Sequence, residues 1–255
     1  MTIETPSAAV PAHGPALAVV VPVKNEAENV LPLIEEIHRA LEPVTTFEVV
    51  YVDDGSDDAT PQRLREAKAR FPRLRVVRHR ASCGQSQAVA TGVKFARAPV
   101  IATLDGDGQN DPADIPALLA RHQAEPDASR ALLLVAGQRQ KRRDTWLRRM
   151  SSKVANGVRS GMLGDATPDS GCGLKLFARD TFLDLPRFNH MHRFLPALFI
   201  RAGGRVVSVP VHHRPRERGT SKYGLWNRLW VGIVDLFGVW WLQRRASVPV
   251  VEEQA

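Results

Sequence analysis

Two carboxylates one residue apart, Asp105 and Asp107, close an apolar run in the stretch V-I-A-T-L-D-G-D-G-Q-N-D-P at 100–112. Val100, Ile101 and Leu104 read as a short buried strand. Alternate residues at a strand end point the same way, so the two carboxylates can aim at one point. Gly106 and Gly108 leave room for a ligand to approach the backbone. With the amide oxygen of Gln109, they form a set of hard donors suited to Mg²⁺ or Mn²⁺ that also holds phosphates. A plain Asp/Gly turn after a strand has the same letters, so this stretch alone leaves both readings open.

The elements that must position these residues follow a regular order. Apolar runs at 17–21, 47–52, 74–77 and 132–136 read as strands beside that at 100–104. Helical spacing follows most of them: Val30, Leu33, Ile34, Ile37 and Leu41, then 61–70, 85–97 and 112–125. Strands alternating with helices of about ten residues or more predict an α/β domain on a doubly wound, mainly parallel sheet. Ligands of such sheets sit at the carboxyl ends of the strands, where Pro22, Asp53, Asp105 and Gly137 fall. The second half is less regular, with helices expected at 145–162 and 191–202 and strands at 174–177 and 205–211. No G-x-x-x-x-G-K-[ST] is present and no G-x-G-x-x-G opens the first helix, which argues against P-loop and dinucleotide folds.

Composition narrows the partners. The 255 residues are 44% hydrophobic and carry a net charge of +8, which favours anionic partners: nucleic acid, anionic lipid or phosphorylated substrates. The two cysteines, Cys83 and Cys172, suggest neither a disulfide framework nor a zinc site. Residues 1–15 are rich in Ala and Pro, lack a signal-peptide core and are expected to be a disordered tail. The organisation expected is a catalytic domain at 16–222, an amphipathic helix at 223–245 and a flexible tail at 246–255.

Five segments, taken together, resemble the family 2 glycosyltransferases of the polyprenyl-phosphate sugar transferase kind (dolichyl-phosphate mannose synthase-like). They are V-V-V-P-V-K-N-E-A-E-N, V-V-Y-V-D-D-G-S-D-D-A-T, A-T-L-D-G-D-G-Q-N-D-P, D-S-G-C-G-L-K-L-F and R-E-R-G-T-S-K-Y. The resemblance implies the GT-A (Rossmann-like) fold and an inverting transfer from a UDP- or GDP-sugar to a polyprenyl phosphate of the undecaprenyl or dolichyl type. It places Pro22, Glu26 and Asp53 at the nucleotide, and Asp105, Gly106, Asp107 and Gln109 at the metal (Mg²⁺ or Mn²⁺) and donor diphosphate. Arg139 would lie near the donor phosphates or sugar. Arg216 and Lys222, with Arg218 nearby, would meet the diphosphate and the acceptor phosphate, and Asp169 would lie close to sugar and acceptor. The family often has an aromatic where this chain has Lys24.

The implied chemistry suits these residue types. Charge develops on the leaving β-phosphate, and a divalent ion with Arg216, Arg218 and Lys222 would stabilise it. A lipid phosphate is already anionic and needs positioning more than deprotonation, so Asp169 can be a base or an orienting group. A hydroxyl acceptor, as on a polysaccharide, would instead require a true base. The basic run at 139–149 can be a solvated face or a surface for membrane or acceptor. His190 and His192 lack an evident third ligand and read as structural, as do His212 and His213 beside the basic loop. Cys172 needs no redox role. Binding to nucleic acid is not expected, because no RNA-binding motif with paired aromatics appears and acidic strand ends repel phosphate.

The stretch L-W-N-R-L-W-V-G-I-V-D-L-F-G-V-W-W-L at 225–242 decides the membrane relation. As a helix it is about 27 Å long, short of a ~30 Å hydrocarbon core. Its nine Leu, Ile, Val and Phe residues gain about 3–5 kcal/mol on insertion, against about 5–7 for Arg228 and Asp235. A helix lying in the headgroup region at the cytoplasmic membrane face is therefore expected, with Arg228 and Asp235 on one face and the tryptophans at the interface. A helix packed on the core or on a second subunit of a homo-oligomer is the alternative.

Overall fold

The computed structural model describes residues 14–140, 157, 159–165, 167–215 and 225–247. The expected N-terminal tail (to residue 13), most of the helix expected at 145–162, the basic loop with Arg216, Arg218 and Lys222, and the tail from 248 lie outside the described residues.

The first half alternates as expected: β1 (Leu17–Val23), α1 (Ala27–Leu41), β2 (Phe47–Asp53), α2 (Thr60–Arg70), β3 (Leu74–Arg78), α3 (Gln85–Phe95) and β4 (Val100–Thr103). A 3₁₀ turn (Pro112–Asp114), α4 (Ile115–Gln123), the single turn α5 (Asp127–Arg130) and β5 (Leu133–Arg139) follow. After them come β6 (Lys175–Ala178), α6 (Arg179–Asp184), a 3₁₀ turn (Met191–Arg193), α7 (Leu195–Arg201), β7 (Arg205–Val211) and α8 (Leu225–Arg244). Both 3₁₀ turns replace expected helix. A proline sits in the first turn of α4 and of α7, where its missing N–H costs nothing, so regular helix starts there.

The seven strands lie in the order β3-β2-β1-β4-β6-β5-β7. All run parallel except β6, which pairs antiparallel with both β4 and β5. The central strands are apolar on both faces because both are covered. Leu17, Val19 and Val21 of β1 pack with Val30, Ile34 and Ile37 of α1 and with Leu118 of α4. Ala18 and Val20, on the other face, pack with Ala88, Val89 and Val93 of α3 and with Phe177, Phe182 and Phe199.

Reversal of β6 matters for function. Its N-terminal end falls at the sheet edge where β1, β2, β4, β5 and β7 end. The segment 169–175 is thereby delivered beside the ends of β4 and β5. β5 also runs further than its apolar core, pairing residue by residue with β7 as far as Arg139↔Val211. Arg139, expected at the head of a basic run, is therefore the last residue of a central strand.

On α8, Leu236, Val239 and Trp240 pack against the core, while Val234, Phe237 and Trp241 are each more than half exposed. Those three are spaced i, i+3, i+7 and share one outward face. Asp235 turns inward and pairs with His190 at 3.0 Å. The expected polar face through Asp235 is thus directed at the domain; the side chain of Arg228 lies outside the described residues. His190 Nδ1 lies 3.0 Å from Asp235 Oδ2, so the inward carboxylate has a hydrogen-bond partner. No described helix is long and apolar enough to cross a membrane.

Candidate active site

The loop after β4 holds the carboxylate pair. Asp105 Oδ1 accepts a hydrogen bond from Gln85 Nε2 at 2.8 Å, at the start of α3. Two glycines let the backbone close around it. A Cβ at Gly106 would fall 2.3 Å from Val23 Cγ1, and one at Gly173 would fall 2.1 Å from Asp105 Oδ2. The 169–175 segment therefore lies directly on the Asp105 carboxylate. Asp107 Oδ1 accepts from Gln109 N at 3.2 Å. Gln109 is tied to the end of β7, its carbonyl accepting from Arg214 N at 2.9 Å.

The pair stands between two cavities. Asp105 lines one of about 230 Å³ with Pro22, Gln85, Ser170, Lys175, His192, Arg193 and Leu195. Asp107 lines a neighbouring one of about 380 Å³ with Asn29, Glu36, Gly108 and Arg214. Removal from water, and then the charge of Asp107, push the Asp105 carboxyl up to about 6, while Lys175 and Arg139 oppose the shift. A half-buried, mutually repelling pair of hard oxygen donors is chemically suited to a divalent cation, which removes the cause of the repulsion. Mg²⁺ and Mn²⁺ fit that donor set.

Asp169 and Arg139 meet here. Arg139 donates Nε to Asp169 Oδ2 and Nη2 to Asp169 Oδ1, both at 2.7 Å, and its backbone N adds a bond to Oδ2 at 3.2 Å. Both are largely buried, with side-chain exposures of 16% and 9%. This two-pronged pairing occupies both carboxylate oxygens and the flat edge of the guanidinium.

The residues expected at the nucleotide form a second cluster. Asp53 is 1% exposed; Oδ1 accepts from Ser56 N at 2.9 Å, and Oδ2 stands 3.1 Å from Arg78 Nε without an aligned donor. Glu26 Oε2 accepts from Asn29 Nδ2 at 2.7 Å, and Glu26 N donates to Thr60 Oγ1 at 2.8 Å. Asn25, left-handed at φ 53°, donates its backbone N to Ser56 Oγ at 2.9 Å. The loops after β1 and β2 are thereby stapled into one rim, which carries Pro22 from the first cavity to Asp53.

The cavity residues that the sequence reading did not assign to the site include Gln85, Gly173, Lys175 and Arg193. Lys175 had a visible signal, a lysine inside the apolar run L-K-L-F. It is 3% exposed, and its ammonium donates to the carbonyl of Cys172. Burial pulls its pKa below the usual lysine range. His192, bonded through Nδ1 to Ser86 Oγ at 2.7 Å, is pushed by burial down to about 3 and is a neutral imidazole. As expected of structural histidines, His190 anchors α8, His212 binds Asp114 at 2.8 Å and His213 bridges to Asn110.

Asp54, His79 and Cys83 each offer a metal-ligand atom within 4.8 Å of the others. The hydrogen bonds give them another purpose. Asp54 Oδ1 accepts from His79 Nδ1 and Cys83 N, both at 2.7 Å. Oδ2 accepts from Ser82 Oγ at 2.8 Å and Gly84 N at 2.9 Å. The carboxylate is saturated and clamps the loop that leads into α3. Burial works to raise its pKa, and the bonds from Cys83, His79, Ser82 and Gly84 outweigh it, so Asp54 titrates below the ordinary range. Its folded pKa being depressed, its stabilisation is complete above the unfolded value of ~3.9 and is lost as pH falls through the folded value. Asp54→Asn turns an acceptor into a donor facing N–H groups and should cost about 2–4 kcal/mol at pH 7. It should also flatten the acid limb of stability below about pH 4. Urea melts at pH 3 and pH 7 check both; an unchanged pH 7 midpoint would show that the clamp contributes nothing.

The family model described as "Glycosyl transferase family 2" matches residues 18–185. A dodecaprenyl-phosphate galacturonate synthase of Rhizobium johnstonii is 35% identical over 244 residues, covering 94% of this chain and 70% of its own length. An undecaprenyl-phosphate 4-deoxy-4-formamido-L-arabinose transferase of Edwardsiella ictaluri is 34% identical over 212 residues, covering 82% of this chain; the chain spans 63% of that relative. Among solved structures, glucosyl-3-phosphoglycerate synthase of Mycobacterium tuberculosis with Mn²⁺, UDP and glucosyl-3-phosphoglycerate superposes with a TM-score of 0.66 at 17% identity. It covers 93% of this chain and 82% of its own. The mannosyltransferase PcManGT of Pyrobaculum calidifontis, with GDP-Man and Mn²⁺, superposes at 0.60 with 21% identity, covering 96% and 70%. These likenesses establish the shared GT-A fold. With a matching family model over most of its core and relatives above 30% identity, the chain belongs to glycosyl transferase family 2.

Proposed function

We propose that the protein transfers a sugar from a nucleotide-sugar to a polyprenyl phosphate, working on a membrane surface. One observation carries the choice of acceptor: Asp169, the carboxylate nearest the Asp105 pair from the 169–175 segment, is held through both oxygens by Arg139. A base so engaged is poorly placed to take a proton from a hydroxyl. A lipid phosphate arrives already ionised and asks only to be held in line with the anomeric carbon. The relatives' names support the same acceptor class, polyprenyl phosphate, and differ in the sugar: galacturonate in one, a formamido-arabinose in the other.

In this reading Asp105, Asp107 and Gln109 hold Mg²⁺ or Mn²⁺, which when bound offsets charge on the leaving diphosphate. The rim of Pro22, Glu26 and Asp53 receives the nucleotide, and Gly106, which has Val23 and the Pro22 carbonyl where a Cβ would be, holds the Asp105–Asp107 turn close against β1 rather than leaving room for a ligand. Arg139 fixes Asp169 at the edge of the sugar space. Arg216, Arg218 and Lys222 supply cations to the donor and acceptor phosphates. Incubation with UDP- and GDP-sugars and undecaprenyl phosphate should release nucleoside diphosphate and form a lipid-linked sugar. Release only with a soluble hydroxyl acceptor would overturn the reading.

Membrane attachment rests on the outward face of α8. Val234, Phe237 and Trp241 can enter the headgroup region, with Arg244 and Arg245 stacked on Trp240 and Trp241 (3.7 and 5.8 Å to the ring centroids) just beyond. The protein should float with vesicles containing anionic lipid and be released by alkaline carbonate. Changing Val234, Phe237 and Trp241 together to serine should weaken vesicle binding about tenfold or more. Unchanged flotation of the triple variant, or a dimer in solution that loses its partner in it, would assign that face elsewhere.

A further inference from the structure

The geometry points to the 230 Å³ cavity beside Asp105 as a subsite for a carboxylate-bearing sugar, read by Lys175 and Arg193. The inference rests on the proposed donor site and adds the class of sugar that it selects.

The cavity has the scale of one sugar ring, and its wall is mixed in a particular way. Gln85 and Ser170 offer groups that match hydroxyls, and Leu195 offers an apolar surface for ring C–H groups. Two cations, Lys175 and Arg193, line the same space. Lys175 is 3% exposed, yet among the described residues no carboxylate is in ion-pair contact with it. Its ammonium has three donors, and its hydrogen bond goes to the neutral carbonyl of Cys172. His192, the third basic residue of the wall, is neutral.

Asp169 is paired in two-pronged fashion with Arg139. Asp105 and Asp169 act on Lys175 through space without a direct ion pair, and in the proposed site Asp105 is taken up by the divalent ion. Lys175 and Arg193 are the cations that line the ring space. Burying a lysine is costly, and the cost is offset when an anion completes the pair. An uncharged hexose offers no such anion, whereas a uronate carboxylate does, on the ring that the amide and hydroxyl of the wall are placed to hold.

The test compares acidic and neutral donors of the same nucleotide: UDP-glucuronate and UDP-galacturonate against UDP-glucose and UDP-galactose. Calorimetric titration with Mn²⁺ present reads donor preference without any acceptor, so its result is independent of whether a lipid phosphate is the acceptor. Turnover with undecaprenyl phosphate then gives the kcat/KM ratio. The acidic donor should be preferred about tenfold or more, in affinity and in kcat/KM, because a site built for a polar group rejects the analogue lacking it. Lys175→Met keeps the stem and drops the charge; Arg193→Gln is the second variant should the first not fold. Each should lower the acid-to-neutral ratio about tenfold. Neutral donors bound as well as acidic ones, binding of neither acidic donor, or a ratio unchanged in both variants would overturn the inference. So would a loss equal for all donors with a raised KM for the lipid, which would make these cations an acceptor-phosphate site. Tight acidic-donor binding without transfer to undecaprenyl phosphate would leave the subsite standing and remove the lipid-acceptor reading.

Discussion

Asp107→Asn is expected to lower sugar transfer about a hundred- to a thousandfold with no loss of fold. The substitution keeps the shape and one carbonyl-type oxygen, so the 3.2 Å bond from Gln109 N can survive. It removes one of the two charges proposed to hold the cation. Its neighbour Asp105 is shielded by Gly173 and bonded to Gln85, so it cannot swing out to compensate. Chelation should abolish wild-type transfer, and added Mn²⁺ should raise the melting temperature of the wild type and not of the variant, since a ligand that binds only the folded state stabilises it. Full activity in excess chelator, or a variant retaining more than about a tenth of wild-type kcat/KM, would remove the metal from the mechanism.

Arg139→Met is expected to cost about 3–5 kcal/mol of stability, the scale for leaving one member of a buried ion pair alone. Asp169 would keep its charge, with 9% of its side chain exposed and two hydrogen bonds gone. The double variant Arg139→Met, Asp169→Leu should recover much of the loss, because replacing both partners removes the stranded charge. Denaturant titration of the three proteins measures this. A single-variant cost under about 1 kcal/mol would mean that the pair behaves like an exposed one. Asp169→Asn separates the chemical roles. A general base contributes about a hundred- to ten-thousandfold, whereas an orienting group held by Arg139 should cost less than about tenfold in kcat with a lipid phosphate acceptor.

Much of the domain could be read from the chain itself, because the signals were local. Runs such as L-A-V-V-V and V-I-A-T-L become central strands when nothing but apolar surface covers both faces. The helical spacing from Val30 to Leu41 matches the buried stripe of α1. Asp105, Asp107 and Gln109 stand out because a strand end needs no carboxylates for folding.

What the tertiary structure decided was everything that depends on pairing between distant segments. Apolarity does not encode strand direction, so the antiparallel entry of β6 was invisible, and with it the seating of Gly173 on Asp105. Arg139 and Asp169 are thirty residues apart, and each alone looked like a free charge for the substrate. Only the adjacency of β5 and β6 shows that they hold each other. Asp235 likewise looked solvent-facing from helical spacing, until the turn carrying His190 met it from the other side. A charge pattern gives the face of a helix, and the partner across the gap determines whether that face looks inward or out.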